Sequence, residues 1–280
     1  MPTLHVPPAH ASQKIGTPAP SGACRKQSVT HETVLMLGAA SGIARALCHE
    51  LAREGARLIL AGRDSDVLQR MAGDLAIRYE TEVQVEPFDA LDFAEHEAFF
   101  ARVLDRVDGE LSGVVLAFGT LPDQAETEHS FAAAREAIDI NFTAPVSLLS
   151  LAASYLETRR SGFIAAISSV AGDRGRQSNF TYGAAKAGLS TYLDGLRNRL
   201  HPAGVSVLSI KPGFVDTPMT AGLFKNPNSP LIASPQRVAR DIARAIRRRS
   251  SRVLYTPWFW RPIMAIIRAI PEPVFKRLKL

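Results

Sequence analysis

From residue 33 to residue 249, short apolar runs alternate with longer stretches of helical period, and this alternation constrains the fold more than any other feature. The runs read TVLMLG, ARLILAG, EVQVEPF, LSGVVLAFG, GFIAAISS and GVSVLSIKPG; the helical stretches cover 43–54, 64–80, 92–107, 129–158, 179–201 and 235–249. A strand apolar at nearly every position is buried on both faces, and strands joined through helices run parallel. The pattern predicts an α/β fold, a doubly wound parallel sheet of six strands flanked by helices on both faces. Ligands in such sheets bind beyond the carboxyl ends of the strands, so the residues that end each strand are the ones to inspect.

The first strand ends in LGAASGIARAL, where Gly38 and Gly42 flank a turn into a helix. Backbone amides and the helix dipole at such a turn accept a pyrophosphate, as in Rossmann-type dinucleotide sites. The second strand ends in LAGRD. A carboxylate there would bind the ribose hydroxyls of NAD, whereas Arg63 offers a planar fork to a 2′-phosphate and favours NADP(H) over NAD(H). Ser41 and Arg45 are near enough in sequence to help hold that phosphate. A Gly-rich turn without a ligand and an ordinary surface arginine remain the bland alternatives.

The fifth strand ends in Ser168 and Ser169, and Tyr182 and Lys186 follow four apart on the next helix. That spacing puts phenol and ammonium on one helix face. A ketone that accepts hydride needs an acid at its oxygen, and a phenol qualifies once a neighbouring ammonium favours the phenolate and lowers its pKa. A serine hydroxyl from the strand end would hold the substrate oxygen against that phenol. Taken alone, the pair is equally an exposed helix pair.

The conjunction of the Gly-rich turn, Arg63, Ser169 and the Tyr182–Lys186 pair, in that order, resembles the short-chain dehydrogenase/reductase family over about residues 32 to 256. The family's serine-to-tyrosine spacing selects Ser169 over Ser168. The resemblance implies that Asn141, in DINFTAP, organises a water in a proton relay beside the lysine, and that Asp89 and Ala90 contact adenine. It also implies a cofactor site that includes Ile43 after the turn and Gly119 after the fourth strand. In KPGFVDTPM, Pro212 and Gly213 would pass the nicotinamide, Val215 would offer backbone to its carboxamide and Thr217 would reach a phosphate. The chain departs from the family pattern at Leu37 (Thr there), Ala44 (Gly there) and LAFG, residues 116–119, where an Asn-Asn-Ala-Gly segment is usual. The asparagine loss at Ala117 removes local rigidity but no reacting group.

A narrower resemblance rests on AFGTLPDQ, SNFTYGAAKAGL and the C-terminal VLYTPWFWRPIMAIIRAIPEPVFKRLKL. These segments are similar to those of reductases that act on the 2-keto group of a decaprenyl-phosphate-linked pentofuranose in cell-wall arabinan synthesis. On that resemblance the substrate is a lipid-linked ketopentose reduced to arabinose, and Phe180 and its neighbours line its side of Tyr182. Other readings are a reductase of another lipid or small ketone, and a dinucleotide-binding sensor without catalysis.

Charge separates the ends of the chain: of the net +6, residues 244–280 hold +9. An anionic partner is therefore sought at the C-terminus, and no nucleic-acid motif accompanies the charge. Residues 1–30, Pro-rich and without a signal-peptide core, read as a disordered extension; 31–256 as the NADP-dependent reductase domain; 257–280 as a basic amphipathic tail. In the tail Ile263, Ile266, Ile267 and Ile270 form one helical stripe, with Arg261 and Arg268 opposite. A helix of ~13 Å is too short to cross a bilayer of ~30 Å, so the tail is expected to lie on an anionic membrane surface or to pack on the fold. Two cysteines, Cys24 and Cys48, make a disulfide framework or a metal site improbable, which points to a cytoplasmic protein, peripheral on the inner face of the membrane if the tail docks there. Residues 120–130 and 218–234 are expected at the pocket lips, the second as a lid over the cofactor, and the resemblance implies a homo-oligomer built on helices 129–158 and 179–201.

Overall fold

The computed structural model describes residues 32–222, 226 and 229–278, so the reading of residues 1–30 as an extension lies outside the described residues. Seven parallel strands form the central sheet: β1 (Thr33–Leu37), β2 (Arg57–Gly62), β3 (Val83–Pro87), β4 (Leu111–Leu116), β5 (Phe163–Ile167), β6 (Ser206–Pro212) and β9 (Val253–Thr256). Their order is β3-β2-β1-β4-β5-β6-β9. The chain reverses its direction of travel across the sheet between β1 and β4, which opens a crevice at their carboxyl ends. The six expected strands are present and β9 is additional. Two residues of β7 (Phe214–Val215) pair with β8 (Ile232–Ala233) as a separate ribbon.

The apolar runs form strands because both faces are covered. On one face α1 (Gly42–Arg53), α2 (Ser65–Tyr79) and α8 (Pro235–Arg247) bury Leu47, Leu51, Leu68, Val238 and Ile242 against Val34, Met36 and Leu60. On the other, α3 (His96–Asp105), α6 (Ala144–Arg159) and α7 (Phe180–Leu200) bury Phe99, Leu148, Leu149, Leu189 and Leu193 against Leu35, Leu37 and Ile164. Of the charged residues in these strands Glu86 of β3 is the buried one, and its carboxylate meets Arg102 at 2.9 Å and Arg106 at 2.8 Å.

The stretch expected as one helix over 129–158 is segmented. It comprises the last residue of α4 (Gln124–His129), then α5 (Phe131–Ile138), a π turn over Asp139–Thr143, and α6. The run Phe131–Arg159 is long and apolar enough to cross a membrane by composition. Its inner half instead packs on the sheet through Leu148, Leu149, Ala152 and Leu156.

The C-terminal segment packs on the fold as well. Helix α9 (Trp260–Ala269) buries Trp260 and Met264 against Val170, with Ile263 and Ile267 half-buried beside them. This corrects the expected stripe: Ile266 is 67% exposed, and Met264, one position from Ile263, takes the inward place. Arg174 clamps the end of α9. Its Nη1 donates to the carbonyls of Ile267 and Ile270, both at 2.6 Å, and Nη2 pairs with Glu272 at 3.0 Å. A guanidinium there satisfies carbonyls that a helix C-terminus leaves open and meets the negative end of its dipole.

Candidate active site

At the carboxyl ends of the strands lies a cavity of about 340 Å³. The β1–α1 turn supplies Ser41, Gly42 and Ile43 to its wall; Gly119 follows β4; Ser169 follows β5. Tyr182 and Lys186 enter from α7, and Pro212, Gly213, Val215 and Thr217 from the segment after β6. Gly38 shapes this site without lining it: at φ +79°, a Cβ there would stand 2.6 Å from the amide nitrogen of Phe118. Only glycine takes that turn at no steric cost. Ser41 caps α1, its hydroxyl accepting from the Ala44 amide, and Arg45 turns away, its Nε donating to the Ala40 carbonyl at 2.9 Å.

Arg63 and Asp89 line a second hollow, of about 330 Å³, at the ends of β2 and β3. Ala90 follows in the same chain turn, in contact with the cluster that holds Phe88 and Phe99. The dinucleotide residues anticipated from sequence thus fall in two hollows along one edge of the sheet, with Phe118 packed at a tilt against Phe88, ring centroids 5.7 Å apart. Phe118 occupies the position of the usual alanine, next to Ala117 at the second-asparagine position, and what it contributes is apolar packing.

The two serines have different occupations. Ser168 is buried, its hydroxyl donating to the Lys186 carbonyl at 2.9 Å and meeting Ser190 Oγ at 2.8 Å. Ser169 accepts from the Ala171 amide at 3.1 Å and hydrogen-bonds the Tyr182 phenol. Spacing selected the same serine.

Lys186 is 3% exposed, and its Nζ sits 5.8 Å from the Tyr182 ring centroid. One of its three N–H groups donates to the Ile167 carbonyl at 3.2 Å. Burial pulls the ammonium down to about 8. Burial also pushes the Tyr182 phenol up to about 12, with the Ser169 hydroxyl pulling the other way. This reverses the expectation of a lowered phenol: in the protein without cofactor, desolvation of the phenolate dominates. Tyr182 therefore keeps its proton at neutral pH, as an acid must.

Asn141 lies behind the cavity wall in the π turn, fully buried. Its Nδ2 donates to the Thr120 and Ala137 carbonyls at 2.8 and 2.9 Å, and its Oδ1 accepts from the Thr120 amide at 3.2 Å. A Cβ on Gly119 would fall 2.8 Å from Asn141 Oδ1 and 3.3 Å from Lys186 Nζ, so amide and ammonium converge on that glycine. The side chain thereby fixes the loop after β4, and Oδ1 retains a second lone pair toward the lysine.

A model of the short chain dehydrogenase family matches residues 32–228. The chain belongs to that family. The short-chain dehydrogenases are oxidoreductases, and an uncharacterized oxidoreductase of Mycobacterium tuberculosis (strain ATCC 25618 / H37Rv) is 38% identical over 245 residues, covering 88% of this chain and 96% of its own. Among solved structures, a short-chain dehydrogenase from Sphingobium yanoikuyae in complex with NADPH superposes with a TM-score of 0.74 at 23% identity, over 86% of this chain and 97% of that one. Levodione reductase gives the same TM-score at 23% identity, over 81% and 96%.

Arg176 and Phe214 of this short-chain dehydrogenase site were not legible as such, whereas Leu121 falls in the expected lip 120–130 and Asn179 adjoins the expected Phe180. Arg176 and Asn179 line the cavity from the loop before Tyr182, and Leu121 and Phe214 complete its wall. Phe180, expected there, opens α7 with 46% exposure and is not on the wall. Of the expected lips, Leu121 and Pro218–Thr220 border the cavity, while Ile232 and Ala233 sit in the ribbon with β7.

Proposed function

We propose that the protein is an NADP(H)-dependent ketoreductase. The observation that carries this reading is the convergence of Ser169, Tyr182 and Lys186 on one cavity beside a glycine-lined β1–α1 turn. The residues suit a nicotinamide dinucleotide: the ammonium of Lys186 has two N–H groups left for ribose hydroxyls, and Gly38 gives the turn its close backbone. Ser41, Gly42, Ile43 and Thr217 would hold the pyrophosphate, Arg63 the 2′-phosphate, Asp89 and Ala90 the adenine, and Gly119, Pro212, Gly213 and Val215 the nicotinamide. Bound there, the cofactor supplies the hydride. Tyr182 gives its phenol proton to the carbonyl oxygen, and Ser169 donates a second hydrogen bond to the same atom. Lys186 steadies the phenolate left behind, and Asn141 keeps the loop and the ammonium in register. The work is positioning and electrostatic support of an alkoxide.

NADPH rather than NADH follows from Arg63, and the NADPH held by the Sphingobium yanoikuyae enzyme supports it. In titrations NADPH is expected to bind at least about tenfold more tightly than NADH, and Arg63→Ala to remove most of that preference. An unchanged ratio in the variant would take Arg63 out of the cofactor site. NADPH consumption with a panel of ketones, lipid-linked ketosugars among them, tests the activity itself.

For the substrate we propose a lipid-linked ketopentofuranose. What supports it is the resemblance in the segments around Tyr182 and the C-terminus, and an apolar cavity rim where Phe214 and Met219 are 39% and 44% exposed. We further propose that the outer face of the C-terminal segment rests on anionic lipid. Trp258, Ile266 and Val274 are exposed there at 72%, 67% and 51%, with Arg261, Arg268, Lys276 and Arg277 around them. Trp258→Ser combined with Ile266→Ser leaves the buried Trp260 and Met264 untouched. The pair is expected to lower co-sedimentation with anionic liposomes several-fold at unchanged thermal stability; equal binding by variant and wild type overturns the proposal.

A further inference from the structure

The loop between Ser169 and Tyr182 carries a cation that the reaction as described does not use. Arg176 lines the cavity, half-buried, with Nε buried and without a hydrogen-bond partner among the described residues. Among the described residues its one hydrogen bond is weak, from Nη2 to the Met264 thioether at 3.5 Å. The carboxylate near it, Asp173, is committed elsewhere: Lys211 holds one oxygen at 2.5 Å and the Tyr255 hydroxyl donates to the other at 2.8 Å.

A guanidinium with a buried N–H that no acceptor meets is costly, and most buried charges are paired. Desolvation already pulls the Arg176 pKa below the usual arginine value. The surroundings also fix its place. Asp173 anchors the loop on one side, Arg174 ties it to α9 on the other, and Met264 of α9 covers the guanidinium. Asn179, three residues on, lines the same wall and has a buried Oδ1 without a partner. A fork of N–H donors on the wall of a cavity that also holds the reacting phenol matches an oxyanion on the substrate.

We propose that Arg176 is a specificity-determining residue that binds an anionic group, phosphate or carboxylate, carried by the ketone. The inference rests on the ketoreductase reading of the same cavity. It is silent on the 2′-phosphate of the cofactor, because Arg63 lies in the other hollow.

The test uses two matched pairs with saturating NADPH: dihydroxyacetone against dihydroxyacetone phosphate, and 2-pentanone against levulinate. Wild type is expected to favour the anionic member of at least one pair by about tenfold or more in kcat/KM. Which pair shows the preference distinguishes phosphate from carboxylate. Arg176→Met is expected to erase the preference while keeping kcat/KM for the neutral ketone within about threefold, and Arg176→Lys to restore part of it. No preference in either pair, an undiminished preference in Arg176→Met, or an equal loss on both members of a pair overturns the proposal.

A binding measurement separates this from failure of the reductase reading. In calorimetry on the NADP⁺-loaded protein, glycerol 3-phosphate or 4-hydroxypentanoate is expected to bind wild type and to lose about tenfold in affinity in Arg176→Met, whether or not any ketone is turned over. Absence of binding to wild type, or equal binding by both proteins, counts against Arg176. Loss of all ketone turnover with anion binding intact counts against the reductase reading alone.

Discussion

Tyr182→Phe is expected to lower kcat/KM for ketone reduction by about three orders of magnitude and to leave NADPH affinity within about twofold of wild type. The magnitude is that of a positioned general acid, ~10² to 10⁴, and the variant removes one oxygen while keeping the ring. The ring packs on the cavity wall, and the hydroxyl's protein partner is Ser169. Removing it leaves the Ser169 hydroxyl free to hydrate, so the fold has little to lose. Because burial holds the phenol at about 12 in the protein without cofactor, the acid is expected to stay fully protonated across the neutral range, and the loss in Tyr182→Phe should be the same at pH 6 as at pH 8. Single-turnover kinetics with NADPH pre-bound would show the loss in the chemical step. A variant that turned ketone over at the wild-type rate would remove the phenol from the reaction, and with it the role assigned to Ser169.

The sequence carries the positions of these groups but not their environments. Ser169 is distinguishable from Ser168 by counting to the tyrosine; the reason Ser168 is unsuitable, a hydroxyl spent on the Lys186 carbonyl and Ser190, emerges only when α7 is laid against β5. Four-residue spacing places Tyr182 and Lys186 together, yet does not say that Lys186 is buried and Tyr182 half-buried, and desolvation reverses the expected direction for the phenol. Periodicity finds an amphipathic C-terminal helix but sets Ile266 where Met264 points inward, and it does not say that Gly213 leaves room for Trp260, where a Cβ would stand 1.9 Å from the indole. Strand β9 escaped because four residues at a sheet edge, three of them half-buried, between an arginine run and Pro257, carry too short an apolar signal. The π turn at Asn141 holds no glycine or proline to interrupt the helical pattern, so the stretch reads as one helix although the backbone widens where the amide is needed.

Lys186 sets the second large effect, in which stability and activity move in opposite directions. Its ammonium falls from 10.5 to about 8 on burial, which corresponds to a cost of about 3 kcal/mol for keeping it charged in the folded protein at neutral pH. Against this stands one hydrogen bond to the Ile167 carbonyl, worth about 1 kcal/mol. Lys186→Met keeps the length of the side chain and discards the charge. Without cofactor at pH 7, it is expected to unfold about 5 °C above wild type, at ~2 to 4 °C per kcal/mol for a domain of this size. The sign with pH is fixed by the lowered value: between about 8 and 10.5 the unfolded lysine binds a proton that the folded one has released. Wild type therefore recovers stability as pH rises through that window, and the cost applies in full below it. The advantage of Lys186→Met should accordingly shrink from pH 7 to pH 10 and vanish near the upper end, with other titrating groups cancelling in the difference. Ketone reduction by the variant is expected to fall at least about a hundredfold, because the charge beside the phenolate is gone. A melting-temperature gap that stayed constant from pH 7 to pH 10 would mean that the cost of burying Lys186 is not electrostatic. A gap that closes, together with lost activity, identifies a charge retained at the expense of the fold because the chemistry requires it.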